Sequence, residues 1–217
     1  MDEYRPPTTL LRVLPRRFYQ ASVLSVARNL LGTYLVRTVT TGDHREPGGE
    51  VDSRLVARIV ETEAYHESEP ASHSYRGIRP RTEVMFGEPG HAYVYFIYGM
   101  HYCFNVVCEA SGIGSAVLIR AVEPIHGEAV MRSRRPAAKR PQELTNGPAK
   151  LAQAFGISRD RDNGKDLVSS DISICAYQDE PAHSVERTGR IGITKACDLE
   201  WRFTIAGNPY VSRKRTR

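Results

Sequence analysis

At 217 residues the chain is long enough for one substantial core and short of two comfortable domains. Its 41% hydrophobic and 25% charged residues are an ordinary globular mix, which excludes a disordered, collagenous or disulfide-scaffold protein. No apolar run approaches the roughly 20 residues of a membrane span. The net charge of +5 is concentrated in two places. Arg213, Lys214, Arg215 and Arg217 close the chain, and Arg132, Arg134, Arg135, Lys139 and Arg140 crowd residues 131–141 without an acid. That distribution suits a polyanionic partner, and it suits a solvated tail and loop equally well.

Residues 21–31 (ASVLSVARNLL) set Val23, Leu24, Ala27, Leu30 and Leu31 on one helical face, with Gly32 where a C-terminal cap belongs. Residues 33–40 (TYLVRTVT) and 55–65 (LVARIVETEAY) read as strands divided by a polar loop. Residues 91–110 (HAYVYFIYGMHYCFNVVCEA) hold two β-branched and aromatic runs around Gly99 and Met100, which predicts a hairpin. A strand at 115–124 and a short helix at 125–135 follow. The helix at 146–156 carries Pro148 in its first turn and Gly156 just past its end. Residues 172–177, 190–194 (RIGIT) and 201–207 supply further strands. Interspersed helices and hairpin-connected strands predict an α+β fold. The expected form is one domain with a curved, mostly antiparallel sheet, peripheral helices and a protruding β-hairpin, loosely ordered at 1–15 and 211–217. The N-terminus has acids where a secretory signal is basic and lacks an apolar segment, so a cytoplasmic location is expected.

The chemistry concentrates at Glu61-Thr62-Glu63-Ala64-Tyr65. Period two puts Glu61, Glu63 and Tyr65 on one face of a strand, and a carboxylate at a strand end near an aromatic and His73 is a candidate general base. A bare pair of spaced glutamates is more often a solvated strand face. Tyr93, Tyr95 and Tyr98 fall within six residues: cross-strand packing accounts for Tyr93, whereas an aromatic at an exposed hairpin tip suits a wedge or a stacking platform. Cys103, Cys108, Cys175 and Cys197 have no metal-site spacing and read as buried, reduced thiols. Neither a GxGxxG nor a phosphate-loop motif is present.

These runs, RIVETEAYHESEPASHSYRG, MFGEPGHAYVYFIYGMHYCFNVV, AVLIRAVEP and LTNGPAKLAQAFGI, resemble in order the alkyladenine (3-methyladenine) DNA glycosylase family in its bacterial form. The resemblance implies that Glu63 is the general base and that Arg120, with that base, holds the attacking water. It places Tyr65, His73 and Tyr95 on the walls of a base pocket and gives Asn105 the task of shutting out guanine. Ile191 completes the water site with its carbonyl, Tyr98 intercalates, and Arg81 and Lys150 contact the DNA backbone. Thr82 stands where relatives carry asparagine.

The implied enzyme everts an alkylated or deaminated purine from duplex DNA and hydrolyses its N-glycosidic bond through an oxocarbenium-like state. It is expected to act as a monomer, without cofactor or metal. It is expected to be monofunctional too, because a lyase needs an amine nucleophile and none of the five lysines neighbours the proposed base in a motif. Two rivals remain at this level. A carbohydrate glycosidase using Glu61 and Glu63 is disfavoured, since both project the same way and that chemistry needs carboxylates flanking the bond. A non-catalytic single-strand nucleic-acid-binding protein leaves Glu63 beside a polyanion without a purpose.

Overall fold

The computed structural model describes residues 8–39, 54–97 and 99–212. Tyr98, the 40–53 loop and the basic run from Arg213 lie outside the described residues.

In chain order the elements are β1 (Arg12–Val13), α1 (Arg16–Tyr19), α2 (Val23–Asn29), β2 (Tyr34–Thr38) and β3 (Arg54–His66). Then come β4 (Ala92–Ile97), β5 (His101–Val107), β6 (Ser115–His126), α3 (Glu128–Arg134), α4 (Pro148–Phe155) and α5 (Arg159–Asp162). β7 (Ile172–Ala176), β8 (Val185–Thr188) and β9 (Arg202–Ile205) complete the set. Among the described residues the nine strands make one sheet, ordered β1-β7-β2-β3-β6-β5-β4, with β9 joining β3 and β8 flanking β9. Every pairing is antiparallel, as the α+β reading expects.

The core lies between the sheet and its helices. Val26 and Ala27 of α2 and Leu151 and Phe155 of α4 are buried against Ile59, Val60, Phe104 and Ile119. Both helices end where their local chemistry says they should. Ser22 caps α2 by accepting from the Ser25 amide. Gly156 closes α4 at φ 62°, its N–H bonded to the Ala152 and Gln153 carbonyls.

Three expectations are corrected. RIGIT is not a strand: Gly192 turns the backbone to φ 80°, and the Ile191 amide is taken by Glu63 rather than by a neighbouring strand. The segment before residue 15 is not merely a loose end, since Arg12 and Val13 pair with β7. Nor does the chain loosen at residue 211: Ser212 is buried and bonded to Glu61 through its amide and its hydroxyl.

β3 fixes the site. Its first half pairs with β2, and its second half pairs with β9 through Glu61, Thr62 and Glu63. Its other edge pairs with β6, where Glu61 faces Ala121 and Thr62 faces Ile119. Arg120 is thus the extra residue of a bulge on β6, and bulges re-aim side chains in this way.

Candidate active site

Arg120 turns toward the two glutamates. Its Nε donates to Glu61 Oε1 at 3.1 Å and its Nη1 to Glu63 Oε2 at 3.2 Å. Glu63 is fully buried and also accepts from the Tyr65 hydroxyl at 2.8 Å and the Ile191 amide at 2.7 Å. Three donors converge on it, an arrangement that an acceptor-only carboxylate satisfies. The Ile191 carbonyl in turn accepts from Arg120 Nη1 at 3.5 Å. Glu63, Arg120, Tyr65 and both ends of the Ile191 peptide therefore meet in one constellation.

Glu61 is equally buried, and its part is different. Besides Arg120 it accepts from Arg202 Nε at 2.7 Å, the Ser212 hydroxyl at 2.8 Å and the Ser212 amide at 2.7 Å. It anchors the guanidinium from behind.

In front of this cluster opens a cavity of about 480 Å³, walled by Tyr65, His73, Tyr95, Arg120 and Ile191 and floored by Cys103 and Leu118. Its volume lies in the range of small-ligand sites. His73 meets Tyr95 edge-on at 4.6 Å between centroids, and its Nδ1 lies 3.0 Å from the Tyr93 hydroxyl.

The electrostatics follow from burial and charge. Burial opposes the Arg120 charge, but Glu63 and Glu61 hold it above its usual value. Burial and then Glu63 keep the Tyr65 hydroxyl protonated well past its ordinary range; burial does the same for Tyr95. His73 has an edge open to solvent through the cavity mouth, yet the protein around its ring and the Arg81 charge pull it from 6.5 to about 4.

The other expected residues stand outside the cavity wall. Asn105 is buried opposite Tyr93 on the neighbouring strand, its amide nitrogen donating to the Tyr93 carbonyl at 3.0 Å. Lys150 bonds Asn146 Oδ1 at 2.6 Å in the first turn of α4, whose Pro148 and Ala149 do reach the cavity. Arg81 lies over the Tyr95 ring, its guanidinium carbon 5.4 Å from the ring centroid, in an adjoining hollow shared with Arg159.

Several participants were missed in the sequence. Arg190 is buried, bonds both oxygens of Glu69 at 2.6 and 2.9 Å, and stacks on the outer side of Tyr65 at 4.7 Å. Its place directly before Ile191 was the available signal. Lys195 lines the cavity, brought there by the 190–195 loop through folding rather than through a motif beside the proposed base. Cys197 is exposed, against the expectation of four buried thiols. Among the described residues, no three His, Cys, Asp or Glu side chains converge as metal ligands.

Residues 17–209 match the model of the methylpurine-DNA glycosylase family. A protein of Carboxydothermus hydrogenoformans, provisionally named 3-methyladenine DNA glycosylase, is 48% identical over 204 residues, covering 93% of this chain and 100% of its own. Similar proteins with the same provisional name occur in Methanoculleus marisnigri, 46% identical over 93% of this chain and 99% of the relative, and in Burkholderia lata, 44% identical over 94% and 93%.

Proposed function

Since this chain belongs to the methylpurine-DNA glycosylase family, and so to the DNA-repair hydrolases of N-glycosyl bonds, we propose that it everts an alkylated or deaminated purine into the 480 Å³ cavity and releases it by water attack. The lesion classes are 3-methyladenine, 7-methylguanine and hypoxanthine. The observation that carries this reading is the buried Glu63 carboxylate, joined to Arg120, the Tyr65 hydroxyl and the Ile191 peptide behind an aromatic-walled cavity.

A stacked base is out of reach of any side chain, so the nucleotide must leave the duplex. Tyr98 fills the gap, at a cost of a few kcal/mol of unstacking. Tyr65 and Tyr95 stack on the base, and a methylated, positively charged purine gains cation–π attraction of roughly 0.5–2 kcal/mol per good contact. His73 stays neutral above about pH 4, so it adds no positive charge to the pocket. The positive charge also makes the base a good leaving group. Water held by Arg120 and the Ile191 carbonyl gives its proton to Glu63 as its oxygen bonds C1′ and the glycosidic electron pair leaves with the base. Asn105, paired across the strands with Tyr93, acts against guanine by a clash with its exocyclic amine. Arg81 and Lys150 contact the backbone of duplex DNA, and the protein works as a monofunctional monomer.

Single-turnover release from a lesion-bearing duplex, wild type against Glu63→Gln, tests the reading. The variant is expected to bind the duplex and to lose roughly 10²–10⁴ in rate, the usual worth of a general base. Equal release by both proteins, or none by wild type, overturns it. The second outcome would favour a non-catalytic binder.

A further inference from the structure

The two aromatic walls of the cavity are backed by different charges. Behind Tyr65 stands Arg190, but its guanidinium is neutralised by both oxygens of Glu69. Behind Tyr95 stands Arg81, and among the described residues no carboxylate pairs with it. Arg81 lines the adjoining hollow and is absent from the wall of the main cavity, and Tyr95 is the residue the two walls share.

A ring that carries a cation on its outer face is a poorer partner for a second cation on its inner face. The outer charge draws on the same π density and also repels the incoming one directly. A neutral base meets neither penalty. Resting on the reading that the cavity takes an everted purine, we propose that Arg81 is a specificity-determining residue that sets the balance between cationic, alkylated purines and neutral, deaminated ones, holding back the cationic class. Glu63 attracts a positive base from one end of the pocket, and Arg81 moderates that attraction through the opposite wall. A base stacked on Tyr95 would lie about 9 Å from the Arg81 charge. Between an effective dielectric of 20 and that of water, that separation corresponds to roughly a two- to twenty-fold effect on relative rates.

The measurement is kcat/KM at pH 8, where His73 is neutral in every protein. Two duplexes are compared, one bearing 3-methyladenine and one bearing hypoxanthine. Loss of a DNA-backbone contact would slow both substrates alike and leave their ratio unchanged. The specificity role requires Arg81→Gln to raise the 3-methyladenine to hypoxanthine ratio by roughly two- to twenty-fold, and Arg81→Lys, which retains the charge, to stay nearer wild type. Arg81 is exposed, so both variants are expected to fold, and a thermal melt checks this. A ratio unchanged in Arg81→Gln, or lowered, overturns the proposal while leaving the glycosylase reading intact. Failure of wild type on both duplexes removes that reading itself.

Discussion

Arg120 spans two buried carboxylates with one guanidinium, Nε on Glu61 and Nη1 on Glu63. Such a group is stable in the interior only because each charge has a partner. Glu61 already accepts four donors, and a glutamine there would turn an NH₂ toward one of them. Glu61→Gln is therefore expected to cost about 3–5 kcal/mol of stability, the range for breaking a buried ion pair. It should also slow base release with little change in DNA affinity. Denaturant titration and single-turnover release check both parts, and a stable variant with full activity would refute the anchoring role. His73 gives a prediction with a definite sign. Its pKa is lowered to about 4 in the folded state from 6.5, so between those values the unfolded chain binds more protons. Stability should fall as pH drops through that window. Replacing His73 with glutamine should flatten the fall, as seen by denaturation at pH 7 and pH 5. Glu63 and Tyr65 were legible because period two puts alternate residues on one face. The anchoring role of Glu61 was not, since its partners Arg202 and Ser212 lie more than 140 residues away in the chain.

The same contrast holds for whole elements. β3, the β4–β5 hairpin and α4 were legible because pattern and punctuation agree: apolar or aromatic runs bounded by glycine, or proline in and glycine out. β8 was not, because three of its four residues, Val185–Thr188, are polar and gain their place by pairing with β9. RIGIT misled because Ile191 and Ile193 alternate as in a strand, while Gly192 between them sits at φ 80°. A Cβ there would meet no atom within 4 Å, so Gly192→Ala should cost about 1–2 kcal/mol of backbone strain. Because Ile191 meets Glu63 and Arg120 through its own peptide groups, the variant should also slow base release. Gly164→Ala, at φ 82° with equally open space, should show a similar stability loss without that kinetic effect. Equal kinetics for the two variants would speak against the Ile191 peptide.

At the scale of the whole molecule, charge is less available to a polyanion than its total suggests. Arg132 pairs with Glu128 at 2.7 Å and Arg140 with Glu143 at 2.8 Å. Arg134 and Arg135 bond the end of α4 through the Ala154 carbonyl and the Gln153 side chain. The basic stretch between α3 and α4 thus works largely as packing between helices. Exposed cations beside the cavity, Lys195 on its wall and Arg81 in the adjoining hollow, are better placed for phosphate. Each lost phosphate contact lowers the slope of log affinity against log salt by about 0.9. Lys195→Gln is expected to do so, and Arg140→Gln to leave the slope unchanged, with binding measured on the Glu63→Gln background. A slope that changes only with Arg140 would reverse this assignment.

Ser212 has a consequence for biosynthesis. Its amide and hydroxyl are half of the grip on the carboxylate that anchors Arg120, and among the described residues no earlier segment supplies them. Translation must pass residue 212 before the anchor behind Arg120 can close. A nascent chain that has not yet released that residue holds its sheet with Glu61 only half gripped.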